Sequence, residues 1–169
     1  MADINNILQY IKQYGYIFLA IIVFLEYLNL PGLPAGIIMP AAGILVKYDE
    51  LSFIYTLIIS VISGLLGSFV LYALGHYCGK PILKKIQNKF PKLKKAIDKT
   101  YKYMDNYGNN GILIARVIPV ARTLISLVAG IFNVGFVNFT LYSVIGITIW
   151  NFAFIYAGYA FSYLFLKWK

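Results

Sequence analysis

Two arginines, Arg116 and Arg122, stand six positions apart on either side of Pro119 within the apolar run GILIARVIPVARTLISLVAG. At mid-bilayer each arginine costs roughly 2.5–3.5 kcal/mol on insertion scales, so such a pair persists where it faces protein, water or an anion. The planar fork of guanidinium donors suits bidentate contact with phosphate or carboxylate. On an unbroken helix, residues six apart lie about 120° around the axis and about 9 Å along it, and their side chains diverge. Pro119 removes a backbone donor and kinks or ends the helix, which lets the halves fold so that both guanidiniums turn into one cavity. Anion contact is the favoured reading of the pair; structural ion pairing alone is the alternative.

Glu26 is the one acid in the apolar part of the chain, and it lies in a different segment, FLEYLNLPGLPAG. Two roles compete for it: counter-ion of an arginine, or a carboxyl that exchanges a proton during a transport cycle. Asn151, beside Trp150 in a late apolar helix, is expected to hydrogen-bond across to another element. No phosphate-binding loop, HExxH or GxSxG is present, so an enzyme is not expected, nor a metal or a cofactor. The single cysteine, Cys78, has no internal partner and reads as packing. The single histidine, His76, reads as a residue of the membrane interface.

The elements that must position these groups belong to a membrane. The 169 residues are 60% hydrophobic and 12% charged, outside the range of ordinary soluble domains. The expected fold is an all-α integral membrane protein forming one domain, 1–169. Its N-terminus has no basic n-region or cleavage site and is expected to stay with the fold. Residues 14–47 run through Glu26 into the helix breakers Pro31, Pro34 and Pro40, a density that predicts a re-entrant hairpin rather than one continuous span. Residues 51–78 predict a transmembrane helix, 110–132 a second re-entrant hairpin broken at Pro119, and 136–166 a second long transmembrane helix. Small residues, Ser60, Gly64, Gly67 and Gly75 in the first and Ser143, Gly146, Ala153 and Ala157 in the second, suit close helix packing.

Between the halves, residues 80–106 form a basic connector, with nine lysines against Asp98 alone from Lys80 to Lys102. Lysine-rich short loops stay cytoplasmic and face anionic headgroups. Its apolar residues recur at spacings of three and four, and Pro91 predicts two short interfacial helices rather than one. The flanking spans argue against nucleic acid as a partner despite the net charge of +9. The tags PAAGILV and SLVAGIF close the two hairpins, a weak internal repeat. One crossing separates the hairpins, so they enter from opposite leaflets as an inverted pair, and transporter sites lie where such broken elements meet. Complete crossing by Tyr14 to Leu30 would move the N-terminus to the other side.

The segments FLEYLNLPGLPAGIIMPAAGIL, SGLLGSFVLYALGHYCGK and ARVIPVARTLISLVAGIFNVGFVNFTLYSVIGITIWN resemble the DedA family of bacterial membrane proteins, whose VTT domain is shared with eukaryotic lipid scramblases. The resemblance implies facing re-entrant hairpins in a multi-pass protein of the bacterial cytoplasmic membrane that moves lipids between leaflets, notably undecaprenyl phosphate or phospholipids. It carries essential intramembrane charges onto Glu26, Arg116 and Arg122. Many relatives hold a second acid just after the first hairpin's turn, where LPAGIIM here offers none. The leading expectation is a translocase for undecaprenyl phosphate, with membrane lipids as partners and a homo-oligomer allowed. A phospholipid scramblase, a proton-coupled small-ion or drug transporter, and a non-transporting membrane scaffold are the alternatives.

Overall fold

The computed structural model describes residues 2–28, 35–48, 51–89, 102, 110–118 and 121–166. Among these the chain is helical, with no strand: α1 (Ala2–Tyr27), α2 (Ala35–Lys47), α3 (Phe53–Lys89), α4 (Asn110–Val117), α5 (Ala121–Ile131) and α6 (Phe136–Leu166). Two are long and apolar enough to cross a bilayer, over Phe53–Gly79 and Phe136–Ser162, with mean hydropathies of 2.3 and 1.5. Their outward faces carry the stronger argument. On α3 the residues Ile54, Ile58, Ile62, Leu66, Val70 and Leu74 are all exposed and follow one another every fourth position. A surface stripe of this length in water would be polar; an apolar one matches hydrocarbon.

Proline acts differently at different sites. Helix α4 stops at Val117 and α5 starts at Ala121; Pro119, the predicted breaker between them, lies outside the described residues. Pro40, counted among the hairpin breakers, lies inside α2. Its ring opposes the carbonyl of Gly36 one turn earlier, at the very start of the helix, where one lost hydrogen bond is tolerated. Pro81 likewise sits inside α3, which continues past the apolar stretch to Lys89. Pro31, Pro34 and the expected break at Pro91 lie outside the described residues.

The chain forms two compact units. One holds residues 1–66 and 148–169, and the other residues 67–147. In the first, α1 packs against α2, and Phe53 at the start of α3 meets Phe152 of α6 edge to face at 5.6 Å. A Cβ on Gly43 of α2 would collide with the carbonyl of Ile155, and one on Gly158 of α6 with the carbonyl of Pro40. The helix backbones therefore touch at this crossing, which only the absence of side chains permits.

The second unit is built in the same way. Helix α4 packs against α5, and Phe136 at the start of α6 meets Phe69 of α3 at 5.0 Å. A Cβ on Gly130 of α5 would collide with the carbonyl of Tyr72, and one on Gly75 of α3 with the carbonyl of Leu127. Helices α3 and α6 start on Phe53 and Phe136, a shift of 83 positions, and the same shift converts Phe69 into Phe152 and Gly75 into Gly158. Gly43 and Gly130 coincide when the tags PAAGILV and SLVAGIF are aligned on their shared Ala-Gly-Ile. The repeat therefore extends from sequence tags to contacts within each unit. Because the Gly130 clash is with backbone, Gly130→Val is expected to destabilise the protein by about 3 kcal/mol. Thermal unfolding in detergent would show this as a lowered midpoint; an unchanged midpoint would contradict the close crossing.

Helix α5 ends on a defined cap. Val134 N–H donates to the Ala129 carbonyl at 3.0 Å and Asn133 N–H to the Gly130 carbonyl at 3.1 Å, with Asn133 at φ 53°. This is a Schellman motif with asparagine in the left-handed position. The Tyr72 hydroxyl then donates to the Val134 carbonyl at 2.5 Å, tying the end of α5 to α3.

Candidate functional site

Arg116 occupies the last turn of α4, where a cation is favoured by the helix dipole. Its side chain is 1% exposed, the largest fully buried side chain among the described residues. Three serine hydroxyls from three helices receive its guanidinium. Nη1 donates to Ser68 of α3 at 3.1 Å, and Nη2 to Ser126 of α5 at 3.1 Å and Ser143 of α6 at 2.7 Å. The Phe139 ring lies 5.6 Å from the guanidinium carbon, within cation–π range. Beneath the side chain, Gly146 lets the aliphatic stem lie against α6: a Cβ there would fall 2.8 Å from Arg116 Cβ and 3.2 Å from Cγ and Cδ.

Arg122 is buried as well, at 2% exposure, and is the second residue of α5. A cation in the first turn opposes the helix dipole, so this position runs against helix preference. An anion near it would meet both the positive end of the helix and the guanidinium. Its own N–H donates to the Ile118 carbonyl at 2.9 Å. Both arginines thus sit in protein rather than facing bulk water, as an intramembrane charge requires.

Glu26, 3% exposed, is carried by α1 in the other unit. Its neighbour in sequence, Tyr27, donates from its hydroxyl to Asn151 Oδ1 at 3.2 Å, and Asn151 Nδ2 donates to Ser60 Oγ at 3.1 Å. Asn151 therefore bridges α1 and α3 from α6, fully buried. Trp150 stacks on Phe154 one turn along α6, with ring centroids 4.5 Å apart. The shift of 83 positions maps Ser60 onto Ser143 and Ser68 onto Asn151, so the two units place polar groups at matching points. In one unit they hold a tyrosine hydroxyl; in the other they hold a guanidinium.

The serines around Arg116 did not emerge from the sequence as site residues. Ser143 read as a small packing residue, and Ser68 and Ser126 carried no signal of their own. Aligning the two spans on Phe53 and Phe136 would have exposed the matched polar pairs. His76 is exposed and stacks on Tyr72, while Cys78 is half-buried. A groove of about 700 Å³ in the first unit is lined by Phe18, Ile22, Ile37, Ala41 and other apolar residues with Tyr14. Its described lining offers no charge for an anion.

The VTT domain matches residues 33–160. The chain is similar to undecaprenyl phosphate transporter A of Bacillus subtilis strain 168, with 32% identity over 92% of this chain and 76% of the relative. It is similar to undecaprenyl phosphate transporter A of Staphylococcus aureus strain NCTC 8325, with 34% identity over 90% of this chain and 76% of the relative. Protein DedA of Escherichia coli K12 is 28% identical over 93% of this chain and 74% of its own length. No solved structure gives a significant match.

Proposed function

The chain belongs to the VTT-domain, or DedA, family, and on that premise we propose that it moves lipid phosphate headgroups between membrane leaflets, with undecaprenyl phosphate as the leading substrate. The observation that carries this reading is the Arg116 guanidinium, buried in an apolar segment and held by hydroxyl oxygens. In this reading Arg116 and Arg122 hold the phosphate while the isoprenoid or acyl chain stays in hydrocarbon. Residues 14–47 and 110–132 act as re-entrant hairpins entering from opposite leaflets, and each half exposes the headgroup to one side in turn.

The likeness of contacts within each of the two units supports the repeat on which the inverted-pair reading rests. Glu26 is assigned the return step, as the group that exchanges a proton or serves as counter-ion when the site is empty. The lysines from Lys80 to Lys102 would concentrate anionic headgroups at the cytoplasmic entrance.

The test is a leaflet-asymmetry assay on purified protein in liposomes carrying labelled undecaprenyl phosphate. Arg122→Ala is expected to slow label movement by at least about tenfold, the loss of one charge-assisted contact. Glu26→Gln is expected to slow it only when a proton gradient is the driving force. Full movement by a well-folded Arg122→Ala variant would refute the arginine-pair site. Equal rates for undecaprenyl phosphate and phosphatidylethanolamine would instead favour a scramblase.

A further inference from the structure

We propose that the groove between α1 and α2 is a second lipid site, independent of the arginines, which holds one acyl chain of a bilayer phospholipid and keeps the two helices apart. Phe18 and Ile22 line it from α1, and Ile37, Ala41 and Leu45 line it from α2. On each helix these residues recur every fourth position, so the groove runs along both. It is buried at Leu19 and Ala42, whereas Phe18, Ile37 and Leu45 are 67%, 63% and 40% exposed and form its rim.

The repeat shows what is unusual about this opening. With the tags aligned on Ala-Gly-Ile, Ile38 and Ala41 of α2 correspond to Ile125 and Val128 of α5. Ile125 and Val128 are buried in one core with Ile112 and Ala115 of α4. Their counterparts are not closed over: Ile38 is half-buried, Ala41 is exposed, and both line the groove. On the facing helices, Ile22 precedes Glu26 by the same four positions that separate Ile112 from Arg116. Ile112 is fully buried, while Ile22 is half-buried in the groove wall. The pair α4 and α5 fills its own interior; the pair α1 and α2, with alanine in place of valine, leaves about 700 Å³ to be filled.

That volume lies within the range of about 300–1,000 Å³ usual for small-molecule sites, and the described lining is almost wholly hydrocarbon. Water has too few polar partners there to fill it. A lipid chain gains nothing from the hydrophobic effect on entering, since lipid tails are as apolar as leucine. Close packing retains it instead: two helix faces and a buried base give the chain contacts on three sides. Length selects the lipid. The walls run from Tyr14 to Ile22 and from Ile37 to Leu45, about 12 Å along each helix, close to the ~15 Å of hydrocarbon in one leaflet. An acyl chain anchored at one interface matches that depth, whereas a chain of undecaprenyl length leaves most of itself outside. A helix of a second copy, about 10 Å across, is too thick for a trough between two helices that pack together.

The experiment purifies the full-length protein in mild detergent and counts retained phospholipid by mass spectrometry. Wild type is expected to keep about one molecule per chain after extensive washing. Ala41→Phe places a ring in the groove from an exposed position and should lower retention to less than about half, because a close-packed space does not hold both. Ile62→Phe, a similar enlargement on the exposed stripe of α3, should retain lipid as wild type does. Lysophosphatidylcholine, which has one chain, should raise the thermal midpoint of delipidated wild type and leave that of Ala41→Phe unmoved. Ala41→Leu, a smaller filling, serves if the phenylalanine variant does not fold. Equal retention and equal thermal response in wild type and the filled variants overturn the site. Displacement of the retained phospholipid by equimolar farnesyl phosphate overturns the acyl chain in favour of an isoprenoid. A dimer that Ala41→Phe disrupts and Ile62→Phe does not overturns it in favour of a second copy. None of these measurements involves the arginines, so failure here leaves the phosphate site standing, and failure of the phosphate site leaves the groove.

Discussion

Replacing Arg116 by methionine is expected to bring lipid-phosphate movement down to the protein-free background while the protein remains folded. The two halves of this expectation have different physical origins. Methionine fills much of the volume of the arginine stem and adapts to irregular space, so the slot beside Gly146 is not left empty. The hydroxyls of Ser68, Ser126 and Ser143 lose a shared donor, yet each can turn to a carbonyl of its own helix, as Ser60 and Thr140 already do. Polar groups left unmatched in the interior cost about 1–3 kcal/mol, and rebonding of the hydroxyls should keep the loss within that range. Arg116→Ala differs, because it adds a cavity to the lost network and should cost about 3–5 kcal/mol. Thermal midpoints in detergent distinguish the two variants, and the liposome assay should find both inactive. Arg116→Lys should recover only part of the activity: one ammonium cannot serve Ser68 from one nitrogen and Ser126 with Ser143 from another. A methionine variant that moves lipid at the wild-type rate would remove the cation from the mechanism.

Much of this architecture was legible in the sequence because hydropathy and helix breakers act locally. The apolar runs after Leu51 and Gly135 became α3 and α6, and α4 and α5 are separate helices, ending at Val117 and starting at Ala121. The tags PAAGILV and SLVAGIF contain Gly43 and Gly130, where helix backbones meet in each unit. Local rules misled at Pro40, since a proline close to a helix start costs one bond and leaves the helix intact. The surroundings of Arg116 were illegible for a different reason. Charge complementarity draws attention to acids, and it gives no signal for the three hydroxyls that hold Arg116 from 48, 10 and 27 positions away. Serine in an apolar helix looks like a small packing residue until the fold brings three of them together. Asn151 was legible because an amide in such a helix has few ways to satisfy itself; its partners Tyr27 and Ser60 needed the structure.

Gly146→Val is expected to slow lipid-phosphate movement by about a hundredfold, although it changes no charged or hydrogen-bonding group, because a displacement near 1 Å at a positioned site has that scale of effect. The glycine faces the root of the Arg116 side chain, and an added Cβ would lie 2.8 Å from Arg116 Cβ. A flexible tip could swing aside, but a Cβ moves only with its backbone, so α4 must retreat from α6. Retreat lengthens the 2.7 Å contact with Ser143, which lies three positions before Gly146 on the same face of α6. It also draws the guanidinium from Ser68 and Ser126, since all three hydroxyls are fixed by helices that have not moved. The stability cost of such overpacking is about 1–3 kcal/mol, small enough for the variant to be purified and assayed. Gly146→Ala should fall between the two, and Gly36→Ala, where an added Cβ meets nothing within 4 Å, should behave as wild type. The ordering wild type, alanine, valine in transport rate, with binding of farnesyl phosphate weakening in step, ties the packing of α4 on α6 to the anion site. Wild-type transport by Gly146→Val would mean that the position of the Arg116 stem does not control the headgroup.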